Sequence, residues 1–150
     1  IVLMKDGVVQ QIGKPQDVYD EPVNLFVARF LGTPPINTFS GIVKHGKLYI
    51  GEDAVLDVPK LINQEVKIGI RPEGFILNEN GKFCCRLHGV EVMGRDISVV
   101  STHPASDNPF VRSIISAEHR VNTASGTVRF DLKPNKVFIF SKGTEKRIDT

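Results

Sequence analysis

The chain has 150 residues, a formal net charge of +2 at pH 7 and 41% hydrophobic residues, a balance typical of globular domains that excludes intrinsic disorder. Its 19 basic and 17 acidic residues are interspersed, so no field of one sign indicates a nucleic-acid or membrane surface. No apolar run reaches the ~20 residues that a bilayer-spanning helix needs.

A β-hairpin is predicted at the N-terminus, because Asp6-Gly7 separates two apolar stretches and Asp-Gly is a strong signal for a two-residue turn. The second strand of this hairpin runs from about Val8 to Ile12. Pro15 then occupies the first position of a short helix through Gln16–Tyr19, where its missing N–H costs nothing.

A second helix of about ten residues is predicted from Val23 to Leu31, with apolar side chains on one stripe. Gly32 is suited to end this helix, and Pro34-Pro35 prevents its continuation. Such a stripe needs a cover, which could be the protein's own barrel or a second module. The candidate docking residues on the stripe are Val23, Phe26, Val27, Phe30 and Leu31.

The rest of the chain favours short strands, since 18 Val and 14 Ile, whose branched side chains suit a pleated sheet, outnumber Ala and Leu. About eight strands separated by frequent turns predict a small barrel or sandwich. They are Thr38–Lys44, Lys47–Gly51, Glu65–Ile70, Lys82–Val92, Ile97–Ser101, Phe110–Ser116, Thr127–Leu132 and Lys136–Phe140. Glu65–Ile70 alternates strictly, which predicts Val66, Ile68 and Ile70 on the buried face.

Three details of this strand region are also predicted. Gly89, inside a long strand, indicates a bulge or a barrel corner. Residues His103–Pro109 are expected to form an exposed loop. Lys133–Asn135 is expected to join the last two strands as a hairpin.

The sequence contains no catalytic or metal-binding motif. No G-x-x-x-x-G-K phosphate loop is present, and the four histidines lack the spacing of metal ligands. Cys84 and Cys85 are adjacent on a strand, so they are expected to remain reduced thiols. Glu91 and Asp96 are interpreted as charged residues flanking the Met93-Gly94 turn. We therefore expect a chain without catalytic, cofactor-binding or metal-binding residues.

Several segments together resemble the C-terminal part of the ATP-binding subunits of ABC importers, in the family that takes up maltose and glycerol phosphate. The first 37 residues and Gly69-Ile70-Arg71-Pro72-Glu73 carry the most specific similarity. Further similar segments are Val90–Gly94, Val137–Phe140, Gly143 and Arg147-Ile148. Family members often carry His or another polar residue after Pro-Glu, where this chain has Gly74. The chain also lacks an initiator Met, so we expect a piece of a longer protein.

The resemblance implies a mainly β fold: a small OB-like barrel of the TOBE/MOP type, preceded by a hairpin and a short helical segment. Residues 1–36 would be the end of the nucleotide-binding domain, and residues 37–150 a regulatory barrel. Arg71, Pro72 and Glu73 form the candidate regulatory motif, with Arg71 and Glu73 interpreted as a charge pair beside the rigid Pro72.

The implied function is regulation and dimerisation within the ATP-binding subunit of an importer for sugars or related solutes. ATP and Mg²⁺ would be bound in the parent subunit by motifs upstream of Ile1. The implied partners are a second copy, the upstream nucleotide-binding domain, transmembrane permease subunits and a regulatory protein. This places the chain in the cytoplasm, at the inner face of the membrane.

An alternative remains open, in which the OB-type barrel binds a molybdate-like oxyanion or single-stranded nucleic acid. Nucleic-acid binding needs exposed aromatic side chains and a basic groove. The chain has no Trp and only two Tyr, so nucleic acid is not expected among its partners.

Overall fold

The computed structural model describes residues 1–150 and contains two short α-helices and thirteen β-strands. The first elements are β1 (Val2–Lys5), β2 (Val8–Ile12), α1 (Pro15–Asp20) and α2 (Leu25–Phe30). They are followed by β3 (Asn37–Lys44), β4 (Lys47–Ile50), β5 (Asp53–Asp57), β6 (Gln64–Ile70), β7 (Phe75–Leu77), β8 (Phe83–Met93), β9 (Asp96–Thr102), β10 (Val111–Ser116), β11 (Thr127–Leu132), β12 (Val137–Ser141) and β13 (Arg147–Ile148). Neither helix is long and apolar enough to cross a membrane.

The N-terminal hairpin and first helix form as predicted. Strands β1 and β2 pair antiparallel around Asp6 and Gly7, whose φ angles of 51° and 77° are those of a left-handed two-residue turn. Pro15 is the first residue of α1. The hairpin and the two helices, residues 1–36, are called the hairpin–helix segment below.

Residues 37–150 form a barrel from two antiparallel sheets, which confirms the predicted mainly β, OB-like fold. The six-stranded sheet has the order β13-β12-β6-β3-β4-β5, and the five-stranded sheet has the order β10-β9-β8-β11-β7. The edge strands β10 and β7 approach each other, so the five-stranded sheet is nearly closed.

The barrel core lies between the two sheets and is built from 21 buried apolar residues. The predicted alternation in β6 is confirmed, since Val66, Ile68 and Ile70 are all buried. Phe39 of the six-stranded sheet meets Phe83 of the five-stranded sheet edge to face, with ring centroids 5.5 Å apart. This packing joins the sheets by aromatic contact as well as by burial.

The predicted hairpin at Lys133–Asn135 is wrong. Strand β11 pairs with β7 and β8, whereas β12 pairs with β6 and β13. Between them a 3₁₀ turn at Pro134–Lys136 carries the chain from the five-stranded to the six-stranded sheet. Phe130 of β11 and Ile139 of β12 both enter the core. The two strands therefore contribute to the core from facing sheets and do not pair with each other.

The loop predicted at His103–Pro109 is exposed at Pro104 and at residues 107–109, and half-buried elsewhere. It lies along β3, where the Ser40 amide donates to the Ala105 carbonyl at 3.0 Å. The Asp107 amide donates in turn to the Thr38 carbonyl at 2.9 Å. These backbone bonds satisfy groups that the neighbouring strands leave unpaired, and they fix His103 at the mouth of the barrel.

Two hydroxyl groups inside the barrel, Ser101 Oγ and Ser113 Oγ, are buried without a hydrogen-bond partner. An unpaired buried hydroxyl costs about 1–3 kcal/mol, and removing it recovers part of that cost. We therefore expect Ser113→Ala to raise the free energy of unfolding by about 1 kcal/mol in urea titrations. The exposed Ser116 provides the control, because Ser116→Ala should leave the stability unchanged; a loss of stability in Ser113→Ala would contradict the prediction.

Candidate functional site

Arg71, the first residue of the predicted motif, lies directly after β6 and is only 1% exposed. Its guanidinium group points out of the barrel into the hairpin–helix segment. Nη1 donates to the carbonyl of Ala28 at 2.8 Å and to that of Leu31 at 3.0 Å. Nη2 donates to the carbonyl of Tyr19 at 2.8 Å.

The three acceptors lie at the C-terminal ends of both helices. The last four carbonyl groups of a helix have no intrahelical partner, and Arg71 supplies donors to one such group in α1 and to two at the end of α2. Its guanidinium also stacks on the Tyr19 ring, 3.9 Å from the centroid. A planar group with several donors can make all these contacts together, which the single ammonium of lysine cannot.

The predicted charge pair between Arg71 and Glu73 is wrong, since the two side chains form no salt bridge. The Glu73 carboxylate instead accepts a hydrogen bond of 2.6 Å from the Tyr19 hydroxyl. It also lies 3.9 Å from the Lys136 ammonium group, which is 3.8 Å from the Asp20 carboxylate. The intervening Pro72 begins a 3₁₀ turn, which directs the two charged side chains to different neighbours.

Burial determines the electrostatics of these groups. It lowers the pKa of the Arg71 guanidinium, while the negative charges of Glu73 and Asp20 oppose that effect. Burial and the hydrogen bond to Glu73 raise the pKa of the Tyr19 hydroxyl. Tyr19 is therefore a neutral donor at physiological pH, and Arg71 keeps its charge because carbonyl groups and acidic neighbours surround it.

Gly74, which departs from the family pattern, has a steric explanation in this chain. A Cβ atom added at Gly74 would lie 2.7 Å from the Cβ of Lys136. The Gly74 carbonyl accepts from the Lys133 amide at 2.8 Å, and its amide donates to the Arg71 carbonyl at 2.8 Å. The motif thus packs directly on the turn that connects the two sheets.

The second helix is shorter than predicted, and the face that it buries is not the predicted stripe. Helix α2 begins at Leu25, because the Asn24 side chain caps it by accepting from the Val27 amide at 2.9 Å. Val23 lies before the helix, and Val23 and Phe30 are 43% and 61% exposed. Phe26 and Leu31 are half-buried, so of the stripe only Val27 is fully buried.

The face of α2 that is buried packs on the barrel. Leu25 and Ala28 form a cluster with Ile36 and with two aromatic residues of β12, Phe138 and Phe140. On the other side of the helix, Val27 packs with residues of the hairpin and of α1. This face of the helix is therefore covered within the chain, whereas Val23 and Phe30 of the predicted stripe are exposed, and docking through the stripe stays a prediction.

An apolar surface that the sequence analysis missed lies on the hairpin, opposite the buried Leu3. The outer hairpin face consists of Val2, Met4, Val9 and Ile12, whose exposed fractions are 54%, 53%, 48% and 69%. Val2 is paired with Ile12, and Met4 with Val9. The signal in the sequence was the run of consecutive apolar residues from Ile1 to Met4. Such a run places apolar side chains on both faces of the strand, and strands of that kind usually have both faces buried.

No group of three His, Cys, Asp or Glu side chains is arranged to hold a metal ion. Cys84 and Cys85 are free thiols, as predicted. Burial raises the pKa of the Cys85 thiol to about 12, so this group is protonated and unreactive at neutral pH.

One histidine, His103, lies at the mouth of the barrel between aromatic rings. Its ring centroid is 5.1 Å from that of Phe83 and 6.2 Å from that of Phe39. Its Nδ1 accepts a hydrogen bond of 3.0 Å from the Ala105 amide. Burial lowers the pKa of His103, and the nearby Asp53 carboxylate opposes that effect.

We expect the stability to fall as the pH is lowered below about 6.5, the ordinary pKa of histidine. The unfolded chain binds a proton at His103 before the folded chain does, so acid favours unfolding until the folded pKa is also passed. Urea titrations between pH 7.5 and 5 measure this slope. His103→Asn, which retains an acceptor, should flatten the slope, and an unchanged slope in that variant would assign it to other groups.

Comparison with known proteins reveals similar sequences. No protein-family model matches the chain. The oligosaccharides import ATP-binding protein MsmX of Bacillus subtilis is 38% identical over 168 residues, covering 99% of this chain and 44% of the relative. The sn-glycerol-3-phosphate import ATP-binding protein UgpC of a Ruegeria species is 28% identical, covering 99% of this chain and 42% of the relative. The ABC transporter ATP-binding protein YcjV of Escherichia coli is 34% identical over 113 residues, which are 68% of this chain and 31% of the relative. The chain thus spans less than half the length of these relatives.

Proposed function

Since this chain belongs to the ABC transporter ATP-binding subunits, we propose that it is the regulatory and dimerising part of such a subunit in an importer. The homology along 99% of the chain is the observation that carries the proposal. Two of the relatives matched along that length are named for import of oligosaccharides and of sn-glycerol-3-phosphate, so the solute we propose is a sugar or a related compound.

The division of the molecule supports a role at a domain boundary. We propose that residues 1–36 complete the nucleotide-binding domain and that the barrel, residues 37–150, is the regulatory domain. The outer hairpin face supports the first assignment, because four apolar residues on one face of a two-stranded sheet need a cover. In the longer subunit the nucleotide-binding domain would supply that cover.

Catalysis would belong to the parent subunit and not to this chain. ATP and Mg²⁺ would be bound by motifs upstream of Ile1, since this sequence contains no phosphate-binding glycine loop. The partners we propose are a second copy, the upstream nucleotide-binding domain, the transmembrane permease subunits and a regulatory protein. This arrangement places the chain at the cytoplasmic face of the membrane, and nucleic acid is not among the proposed partners.

Dimerisation through the barrel would serve the transport cycle. Two nucleotide-binding domains have to separate between turnovers, and paired barrels would keep them at a high effective concentration during that separation. A regulatory protein that binds the separated arrangement more tightly would then inhibit transport by shifting the equilibrium between the two states.

Sedimentation equilibrium of the 150-residue chain between about 5 and 200 μM tests the proposed dimer, at concentrations suited to a modest interface. We expect a mass above the 16.6 kDa of the monomer. The double variant Met4→Lys/Ile12→Lys distinguishes two origins, since it makes the outer hairpin face polar and leaves the barrel unchanged. A dimer that persists in the variant does not depend on the outer hairpin face, which is what barrel pairing requires. A monomer at every concentration, or a dimer lost in the variant, contradicts barrel pairing.

A further inference from the structure

We infer that the hairpin–helix segment and the barrel form one rigid body joined at Arg71, so the boundary at residue 36 is not a hinge. The functional consequence, though not the rigidity itself, rests on the proposed function. In an importer subunit, a partner bound to the barrel would displace the hairpin by the same rotation, without an intervening flexible joint.

The connection between the two parts lacks the properties of a linker. Adjacent domains in one chain are expected to move relative to each other unless their interface is extensive and apolar. Here the connection is Gly32–Ile36, and two of its five residues are prolines with a fixed φ angle. Ile36 is 2% exposed and belongs to the cluster that α2 forms with β12.

The hydrogen bonds of Arg71 join the barrel to the helices at a second place. Their acceptors lie 40 to 52 residues before Arg71 in the sequence. A rotation of the barrel relative to the helices would break its bonds to Tyr19, Ala28 and Leu31. The N–H groups of the guanidinium would then lose their acceptors in a buried site, and the carbonyl groups would lose their donors. Buried polar groups left unpaired are costly, and more so when one of them is charged.

A third set of contacts crosses the boundary at the N-terminal end of α2. The Leu25 amide donates to the Glu145 carbonyl, and the Arg147 amide donates to the Val23 carbonyl, each at 3.0 Å. The Arg147 side chain also forms an ion pair with Glu21. These bonds hold the N-terminal end of α2 to the barrel, whereas those of Arg71 hold its C-terminal end, so the helix is fixed to the barrel at both ends.

Residual dipolar couplings of backbone amides in the 150-residue chain test the inference directly. For one rigid body, a single alignment tensor fits the couplings of β1, β2, α1 and α2 together with those of the barrel. We expect such a fit. Two tensors of different magnitude, one for each part, would overturn the inference without any variant being made.

Amide hydrogen exchange in Arg71→Lys tests the role of the guanidinium. Local opening of α1 and α2 should become about ten to a hundred times more frequent, since lysine cannot replace three bonds to carbonyl groups. Amides of β3 and β6 should keep their protection. Arg147→Lys is the matched control, because this arginine also contacts Phe138, with its guanidinium 5.0 Å from the ring centroid, but lies at the rim.

Unchanged exchange in Arg71→Lys, or equal acceleration in the helices and the barrel, would overturn the assignment to Arg71. These results are independent of the proposed function. A chain that remains monomeric in sedimentation can still fit one alignment tensor, and a dimer can still require two.

Discussion

Arg71→Met should lower the free energy of unfolding by about 3–5 kcal/mol. Each of the three carbonyl groups that it now serves would be left without a donor, at a cost of about 1–3 kcal/mol each, offset in part because the desolvated charge is also removed. Small domains are stable by only about 5–15 kcal/mol, so a large part of the folding stability depends on this residue. Urea titration at pH 7, monitored by circular dichroism, measures the change.

Arg147→Met is the matched control for this prediction. Arg147 also bonds to a residue of the hairpin–helix segment, but its partner Glu21 has a side chain that is 72% exposed. Exposed ion pairs contribute about 0–1 kcal/mol, so the control should lose no more than that. Equal losses of unfolding free energy in the two variants would show that the burial of Arg71 does not increase its contribution to stability.

Asn37→Ala should lower the free energy of unfolding by about 2–4 kcal/mol. Asn37 is 3% exposed, and its Nδ2 donates to the carbonyls of Ile70 and Arg112 at 3.1 and 2.9 Å. Its Oδ1 accepts from the Arg112 amide at 2.8 Å. The Asn37 side chain thus pairs with both backbone groups of Arg112 in the edge strand β10 and with the carbonyl of Ile70 in the six-stranded sheet. Alanine would leave these three backbone groups unpaired.

Asn108→Ala is the control, because Asn108 is exposed and accepts only longer hydrogen bonds from Thr38, at 3.4 and 3.2 Å. We expect a loss below about 0.5 kcal/mol there, as for most surface substitutions. Asn37→Asp should be as harmful as alanine, since it removes both donors and buries a charge. A stable Asn37→Ala protein would show that water replaces the side chain at this edge.

Local patterns predicted most of the fold. Asp6-Gly7 predicted the hairpin, and the alternation in Glu65–Ile70 predicted the buried side of β6. The patterns failed where pairing is decided by distant residues. Lys133–Asn135 has the composition of a hairpin turn, but the strands that it connects lie in different sheets. The residues of a turn carry no information about which sheet the next strand joins.

The functional site was predicted less completely. The similarity of Arg71-Pro72-Glu73 to a family motif drew attention to a segment whose arginine is buried, whereas the partners of Arg71 could not be predicted. Its acceptors are backbone carbonyls, which every residue possesses, so no side chain at Ala28 or Leu31 signals the contact. The predicted helix began too early because Asn24 is an N-cap residue, which leaves Val23 outside the helix. The face with Leu25 and Ala28 is buried by Phe138 and Phe140 of β12, which are distant in sequence and gave no local signal.

The pairing of α2 with β12 has a consequence for the order of events during synthesis. The apolar face of α2 packs on Phe138 and Phe140, which leave the ribosome roughly 110 residues later, or about 5–20 s at ordinary rates of translation. Until then β6 also lacks its neighbour β12. The emerging chain therefore carries an uncovered helix face and an open sheet edge during that interval, the kinds of surface that favour aggregation.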